Sequence, residues 1–167
     1  FGKHTLWSES TRVPLMIKLP GMKGGKKINN PVELLDLYPT LLEVTNLPKN
    51  PLNEGKSLVP LINGKTEDSV PAITTYGINN HSLINQTHRY IRYEDGSEEL
   101  YNLINDPNER NNIANQDGSN IIKRNFIRHI PSLNEPWSPS SYNTVNDYFR
   151  RTSNSEDLTF YKDKNNQ

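Results

Sequence analysis

The spacing of apolar and polar positions changes along the chain, and those changes divide it. Residues 13–19, Val-Pro-Leu-Met-Ile-Lys-Leu, form a short apolar run closed by Pro20-Gly21. Its length and Val/Ile content predict a buried strand, which Pro14 confines to an edge or to a strand's first residues. The Gly- and Lys-rich residues 22–27 predict an exposed loop, and 31–35 a second short strand. Asp36 then precedes Leu-Tyr-Pro-Thr-Leu-Leu-Glu-Val at 37–44, the pattern of a helix start. Asp36 is its candidate cap, and Pro39 is tolerated in the first turn, where a missing N–H costs nothing. Leu37, Leu41, Leu42 and Val44 are predicted to face the core, with Asn46 and Pro48 ending the helix.

Residues 48–71 are rich in Pro, Asn, Gly and Lys and predict a connector, with 57–62 (Ser-Leu-Val-Pro-Leu-Ile) as one apolar anchor. After Pro71 the texture shifts to four short strands, at 72–76, 82–86, 88–93 and 99–103. Asp95-Gly96 between two of these runs is a strong hairpin signal. Alternation in the third strand puts Tyr90 and Arg92 on one face and Ile91 and Tyr93 on the other. A last helix, capped at Ser119 or Asn120, carries Ile121, Ile122, Phe126, Ile127 and Ile130 as a stripe to cover one face of a small antiparallel sheet. Beyond Pro131 the chain is Ser-, Asn- and Pro-rich with scattered aromatics, which predicts an extended tail, disordered from about Thr152.

Composition narrows the possibilities. Only 32% of the 167 residues are hydrophobic, against about 45–50% (Gly included) in an ordinary compact domain. Part of such a chain is expected to lie on something larger or to stay loose. Nineteen basic residues balance nineteen acidic ones, which argues against a general nucleic-acid or anionic-membrane binder. No apolar run approaches the roughly 20 residues of a membrane-spanning helix. The lack of cysteine excludes disulfides, thiolate metal sites and a cysteine nucleophile within the chain. Phe1 is not an initiator methionine and no signal peptide follows it, so the sequence reads as a fragment opening in the middle of something.

Spacing alone supplies little chemistry. There is no Gly-rich phosphate loop, paired-histidine metal motif or serine nucleophile elbow. Of the four histidines, His129 at a helix end reads as structural and His88 as an exposed turn residue. His4 and His81 lie in polar loops suited to anion or sugar contacts. Asn79-Asn80-His81-Ser82 offers donors and acceptors in a row, as a hydroxyl-rich ligand would need. An ordinary Asn-rich turn has the same composition, and Lys3, like most lysines near a chain end, would by itself be read as solvated.

Three stretches together alter that picture. Gly2-Lys3-His4-Thr5-Leu6-Trp7, continuing through Glu9, Ser10, Thr11 and Arg12 to Val13-Pro14-Leu15, resembles the segment of type I, formylglycine-dependent sulfatases that follows their metal-binding Asp-His pair. Residues 34–43 (Leu-Leu-Asp-Leu-Tyr-Pro-Thr-Leu-Leu-Glu) resemble the helix after the next strand in that family. Pro71 to Gly77, Arg89 to Tyr93, and Glu98 through Leu103 to Asp106-Pro107-Asn108-Glu109 resemble its C-terminal subdomain. Order and spacing agree over about residues 1–135, and the similarity is greatest to the iduronate-2-sulfatase-like branch of the alkaline phosphatase superfamily.

The resemblance implies an α/β fold: the last strands and helix of the family's large sheet, plus a small four-stranded antiparallel sheet packed by a C-terminal helix. Residues 1–47 would end the catalytic domain, 48–71 connect, 72–135 form the C-terminal subdomain and 136–167 the tail. It also implies sulfate-ester hydrolysis with a calcium ion and a formylglycine made from Cys or Ser, acting on a sulfated carbohydrate. The compartment implied is periplasmic, secreted or lysosomal in type. Lys3 matches the family's sulfate-contacting lysine. A compact ammonium there offsets charge on the sulfuryl oxygens and the departing alkoxide. His4 is expected to orient Lys3 or to pack, and Glu9 and Arg12 to hold the loop as it enters the strand. His81, followed by Asn80 and Asn79, is expected to reach a sugar hydroxyl from the loop between the first two strands of the small sheet.

The family's nucleophile motif, its metal-binding acids and its Asp-His pair have no counterpart here, since there is neither Cys nor Ser-x-Pro-x-Arg. The chain alone is therefore expected to bind no metal and to be inactive, its partner being the missing N-terminal portion. Two rivals remain. A phosphodiesterase or phosphonate hydrolase of the same superfamily would reveal a different nucleophile upstream. A non-catalytic carbohydrate-binding fragment would be monodisperse, protease-resistant and able to bind a sulfated sugar by itself.

Overall fold

The computed structural model describes residues 5–65 and 70–132, which fall within one compact unit ending at Ser132. The tail expected at 136–167 lies outside the described residues. The elements in chain order are a one-turn helix α1 (Ser8–Thr11), a 3-10 turn (Leu34–Asp36), α2 (Leu37–Val44), a one-turn α3 (Val59–Ile62), β1 (Ala72–Thr75), β2 (His81–Ile84), β3 (His88–Arg92), β4 (Glu98–Asn102) and α4 (Ser119–Ile127).

The four strands form one antiparallel sheet in the order β1-β2-β3-β4. Each strand begins and ends within one or two residues of where alternation and turn residues predict. The β3–β4 connection turns on Gly96 at φ 83°, with Tyr93 N–H on the Ser97 carbonyl (3.0 Å) and Gly96 N–H on the Tyr93 carbonyl (3.0 Å). This is the three-residue hairpin loop in which the left-handed position favours glycine. Register pairs Leu83 with Tyr90, and Tyr90 with Leu100.

Both faces of the sheet are covered. On one, Leu83, Tyr90 and Leu100 pack with Ala114 and with Phe126 of α4, joined by Ile73, Ile113, Ile122 and Ile130. Tyr90 and Phe126 stack with ring centroids 6.0 Å apart, and Lys123 of α4 reaches Glu98 at 2.8 Å. On the other face, Ile91 and Tyr101 pack with Leu6, flanked by Tyr76, Tyr93 and Leu103. Each fully buried side chain of this size contributes about 1.5–3 kcal/mol. The α4 stripe is narrower than the pattern predicts: Ile121 is exposed, and Ile122, Phe126 and Ile130, spaced four apart, do the covering.

Two other expectations are corrected. Neither 13–19 nor 31–35 forms a strand. A strand needs a neighbour for its N–H and C=O groups, and no strand among the described residues pairs with either segment. Val13, Leu15 and Met16 are exposed, Met16 by 92%. Around α2 the inward contact is polar. Asp36, buried, accepts the N–H groups of Glu33 (2.9 Å) and Lys56 (2.8 Å), and Thr40 Oγ1 accepts that of Leu58 (2.7 Å). Leu41 is exposed, while Leu37, Leu42 and Val44 are half-buried. The connector crosses the 3-10 turn so closely that a Cβ on Gly55 would lie 2.1 Å from the Leu35 carbonyl oxygen, which excludes any other residue. Asn46, at φ 58°, ends α2 as the sequence predicts. Asn46 N–H bonds the Glu43 carbonyl and Leu47 N–H the Leu42 carbonyl, a left-handed C-terminal cap. No helix among the described residues is long and apolar enough to cross a membrane.

Candidate functional site

Lys3 and His4 lie outside the described residues. What the structure shows is how the chain directly after them is held. At Trp7 the backbone turns into α1: its carbonyl accepts the N–H groups of Ser10 and Thr11, each at 3.1 Å. Thr5 Oγ1 and Ser10 Oγ share a hydrogen bond of 2.7 Å across the turn. A helix this short has no stability of its own, so the sheet must hold it.

Arg89 of β3 does most of that. Its side chain is 2% exposed, and each of its five N–H groups meets an oxygen. Nε donates to Glu109 Oε1 at 2.6 Å. One terminal nitrogen donates to the Leu6 carbonyl (3.0 Å) and Ser82 Oγ (2.6 Å). The other donates to Ser8 Oγ (3.0 Å) and Thr11 Oγ1 (3.3 Å). Glu109 completes the knot by accepting from the Ser8 N–H (2.9 Å) and the Ser8 hydroxyl (2.6 Å). Its backbone sits at φ 54°, a left-handed conformation uncommon for a non-glycine residue. The preceding turn supports it: Asp106 accepts the N–H groups of Arg110 and Asn111, each at 2.8 Å. A buried pair broken by loss of one partner typically destabilises by about 3–5 kcal/mol.

A second acid holds the same segment from β4. Glu99 accepts from Trp7 Nε1 (2.7 Å) and the Tyr101 hydroxyl (2.8 Å) on one oxygen, and from the Tyr93 hydroxyl (3.1 Å) on the other. Burial first, and then the Glu99 carboxylate, raise both phenols above the ordinary tyrosine value, so both stay protonated as donors. Glu9 and Arg12, expected to hold this loop, are exposed, and the task falls to Ser8 and Thr11. Sequence reasoning passed over Arg89, Glu99 and Glu109 as site-building groups. One signal was available: alternation puts Arg89 on the same face as Ile91, and a cation on a buried face requires an acid.

Asn80 and His81 stand at the β1–β2 connection, and His81 is the first residue of β2 rather than part of the loop. Asn80 ties that connection down, donating from Nδ2 to the Ile78 carbonyl (2.9 Å) and accepting the Glu94 N–H (3.1 Å). Asn79, at φ 60°, turns the backbone. The His81 side chain is enclosed, with the residue only 3% exposed. Its Nδ1 is 2.9 Å from Thr75 Oγ1, and Nε2 has no partner among the described residues. Burial, and then the neighbouring Arg92 charge, lower its pKa, so the ring is neutral at pH 7. Register confirms that His81 faces Arg92. The structure thus keeps Asn80 and His81 together at one end of the sheet.

Among the described residues no group of three His, Asp or Glu is arranged to hold a metal ion, and the chain has no cysteine. The described residues do not make a calcium site.

Residues 1–135 match the family described as N-sulphoglucosamine sulphohydrolase, C-terminal. The chain belongs to that family and is a C-terminal region of the sulfatase and alkaline phosphatase superfamily. It is 43% identical over 151 residues to a sulfatase of Formosa agariphila, covering 89% of this chain and 30% of that protein. It is 34% identical over 130 residues to human arylsulfatase K, covering 68% of this chain and 24% of that one. The chain therefore spans under a third of the length of these relatives. Among solved structures, BT4656 in complex with its substrate D-glucosamine-2-N,6-O-disulfate aligns at TM-score 0.47 and 20% identity, covering 56% of this chain and 22% of that one.

Proposed function

We propose that this chain is the C-terminal portion of a formylglycine-dependent sulfatase that hydrolyses sulfate esters of a carbohydrate. The observation that carries the reading is the family match over residues 1–135, which includes Gly2-Lys3-His4 and the acid-and-arginine framework built around the residues just after them. In this reading residues 1–47 close the catalytic domain, 48–71 connect and 72–135 form the subdomain. The nucleophile and the calcium ligands come from the remainder of a longer polypeptide, which is the chain's proposed partner, and the chain by itself is inactive. A sulfated sugar is the proposed substrate class, supported by the N-sulphoglucosamine sulphohydrolase family. The iduronate-2-sulfatase-like branch is a finer proposal, supported by the order and spacing of the quoted motifs. A periplasmic, secreted or lysosomal-type compartment follows from the family resemblance alone.

The proposed role of Lys3 is to place its ammonium against the sulfuryl oxygens, where charge grows as the alcohol departs. His4 orients it, and Asn80 contributes to the sugar-facing wall, whereas His81 is enclosed on the Leu83 and Tyr90 face of the sheet, away from Arg89 and Leu6, and is not proposed to touch the sugar. Removing one such charge-stabilising donor lowers turnover by about 10²–10³-fold. Lys3→Ala in the whole protein is expected to lose that much kcat on a sulfate ester while remaining folded. Near-normal turnover would remove Lys3 from the reaction.

A further inference from the structure

We propose that the lysine-rich loop 18–27, with the cleft between it and α3, binds a strand of sulfated polysaccharide. The choice of partner rests on the sulfated-carbohydrate reading given above. Charge is unevenly spread along the chain although its total is zero. Between Glu9 and Glu33 stand Arg12, Lys18, Lys23, Lys26 and Lys27, and no acid. The ion pairs among the described residues are Arg89–Glu109 and Lys123–Glu98, so none of these five cations is paired with a described acid.

The loop has a defined shape. Pro20-Gly21 turns the chain, with Gly21 at φ 72° and the Met22 N–H on the Leu19 carbonyl at 3.2 Å. Two of the lysines hold that shape: Lys18 Nζ donates to the Met22 carbonyl (2.7 Å), and Lys26 Nζ to the Ile62 carbonyl at the end of α3 (2.5 Å). A cation there satisfies a carbonyl that the helix leaves unpaired. Lys23 and Lys27 are exposed and remain for a ligand. Between the loop and α3 lies an open cleft of about 380 Å³. Leu19, Pro20 and Met22 give it apolar surface, and Lys23, Lys26 and Asn63 its polar edges.

This mixture selects among polyanions. Separate ammonium groups on flexible stems act as point charges, which suits sulfates spaced along a polymer, and the apolar surface suits the C–H faces of sugar rings. A single nucleic-acid strand needs aromatic side chains for its bases to stack on, and residues 8–37 contain none. Stable anchoring to an anionic membrane takes an apolar helix face or a lipid chain besides basic charge, and residues 12–33 form no helix.

The test is binding of dextran sulfate to the whole protein that carries this chain, repeated at rising salt and with neutral dextran as competitor. Lys23→Gln with Lys27→Gln removes two exposed charges, so the melting temperature is expected to hold. Affinity for dextran sulfate is expected to fall about fivefold for each charge, or about 25-fold for the pair, with a shallower dependence on salt. Lys23→Arg with Lys27→Arg, which keeps both charges, is expected to bind as the parent does, and neutral dextran is expected not to compete. Equal affinity in the parent and the Gln variant, or no binding by the parent, overturns the loop as a site. An equal loss toward oligodeoxythymidylate or phosphatidylserine vesicles overturns the saccharide assignment, since the loop would then be a general polyanion surface. A protein that loses dextran sulfate with these lysines yet hydrolyses no sulfate ester overturns the sulfatase reading and leaves the loop its polymer.

Discussion

At Arg89 five N–H groups meet oxygens contributed by residues from Leu6 to Glu109, so one guanidinium joins the start of the described chain to the turn that follows β4. Its position on β3 follows from alternation, but the identity of its acid does not, because Glu109 reaches it only through a left-handed turn twenty residues further on. His81 shows the same limit. Its type and neighbours suggest an exposed, hydroxyl-seeking residue, whereas pairing of β1 with β2 encloses it and leaves it beside Arg92. Its folded pKa is lowered from 6.5, so between that ordinary value and the lower folded one the unfolded chain binds the extra proton. The stability this contributes is present above about pH 6.5 and is lost as pH falls through that window. The melting temperature is expected to drop from pH 7 to pH 5, and to drop less in His81→Gln. Burial lowers His88 and His129 in the same direction, so the wild-type-minus-variant difference isolates His81. An unchanged slope in the variant would mean the folded protein accepts the proton freely.

The elements differ in how much their own residues determine. The four strands are readable because period-two alternation and the turn residues Asp95 and Gly96 agree locally, and each strand pairs with the next one in sequence. The end of α2 is readable for a similar reason: Asn46 tolerates the left-handed cap. Side-chain roles on the helices are not, because a broad stripe leaves the sheet to choose which part of it to cover. On α4 the sheet takes Ile122 and Phe126, burying Phe126 and leaving Ile121 exposed. Phe126→Ala is expected to destabilise by about 3–5 kcal/mol and Ile121→Ala by no more than about 0.5 kcal/mol, measured by urea unfolding. Comparable losses would mean that α4 covers the sheet with a different face.

Across the whole molecule, the apolar surface is unevenly finished. The sheet is covered on both sides, yet Val13, Leu15, Met16, Leu34, Leu35 and Leu41 stand exposed in and beside the segments that failed to become strands. The proposed occupant of that surface is the remainder of a longer sulfatase, whose sheet would supply the missing backbone partners. The chain expressed alone is then expected to bind a hydrophobic dye and to be cut by protease within residues 13–33, and both signals are expected to fall in the whole protein. A chain that resists protease there by itself would favour the self-sufficient carbohydrate-binding alternative. The amino-acid sequence alone settled the hairpins, the helix stop at Asn46 and the family, since each depends on residues close together or on ordered motifs. Tertiary contact decided the fate of residues 13–19, the enclosure of His81 and the grip of Arg89, Glu99 and Glu109 on residues 6–11. Those depend on which distant groups come within hydrogen-bonding reach, and local spacing carries no measure of that distance.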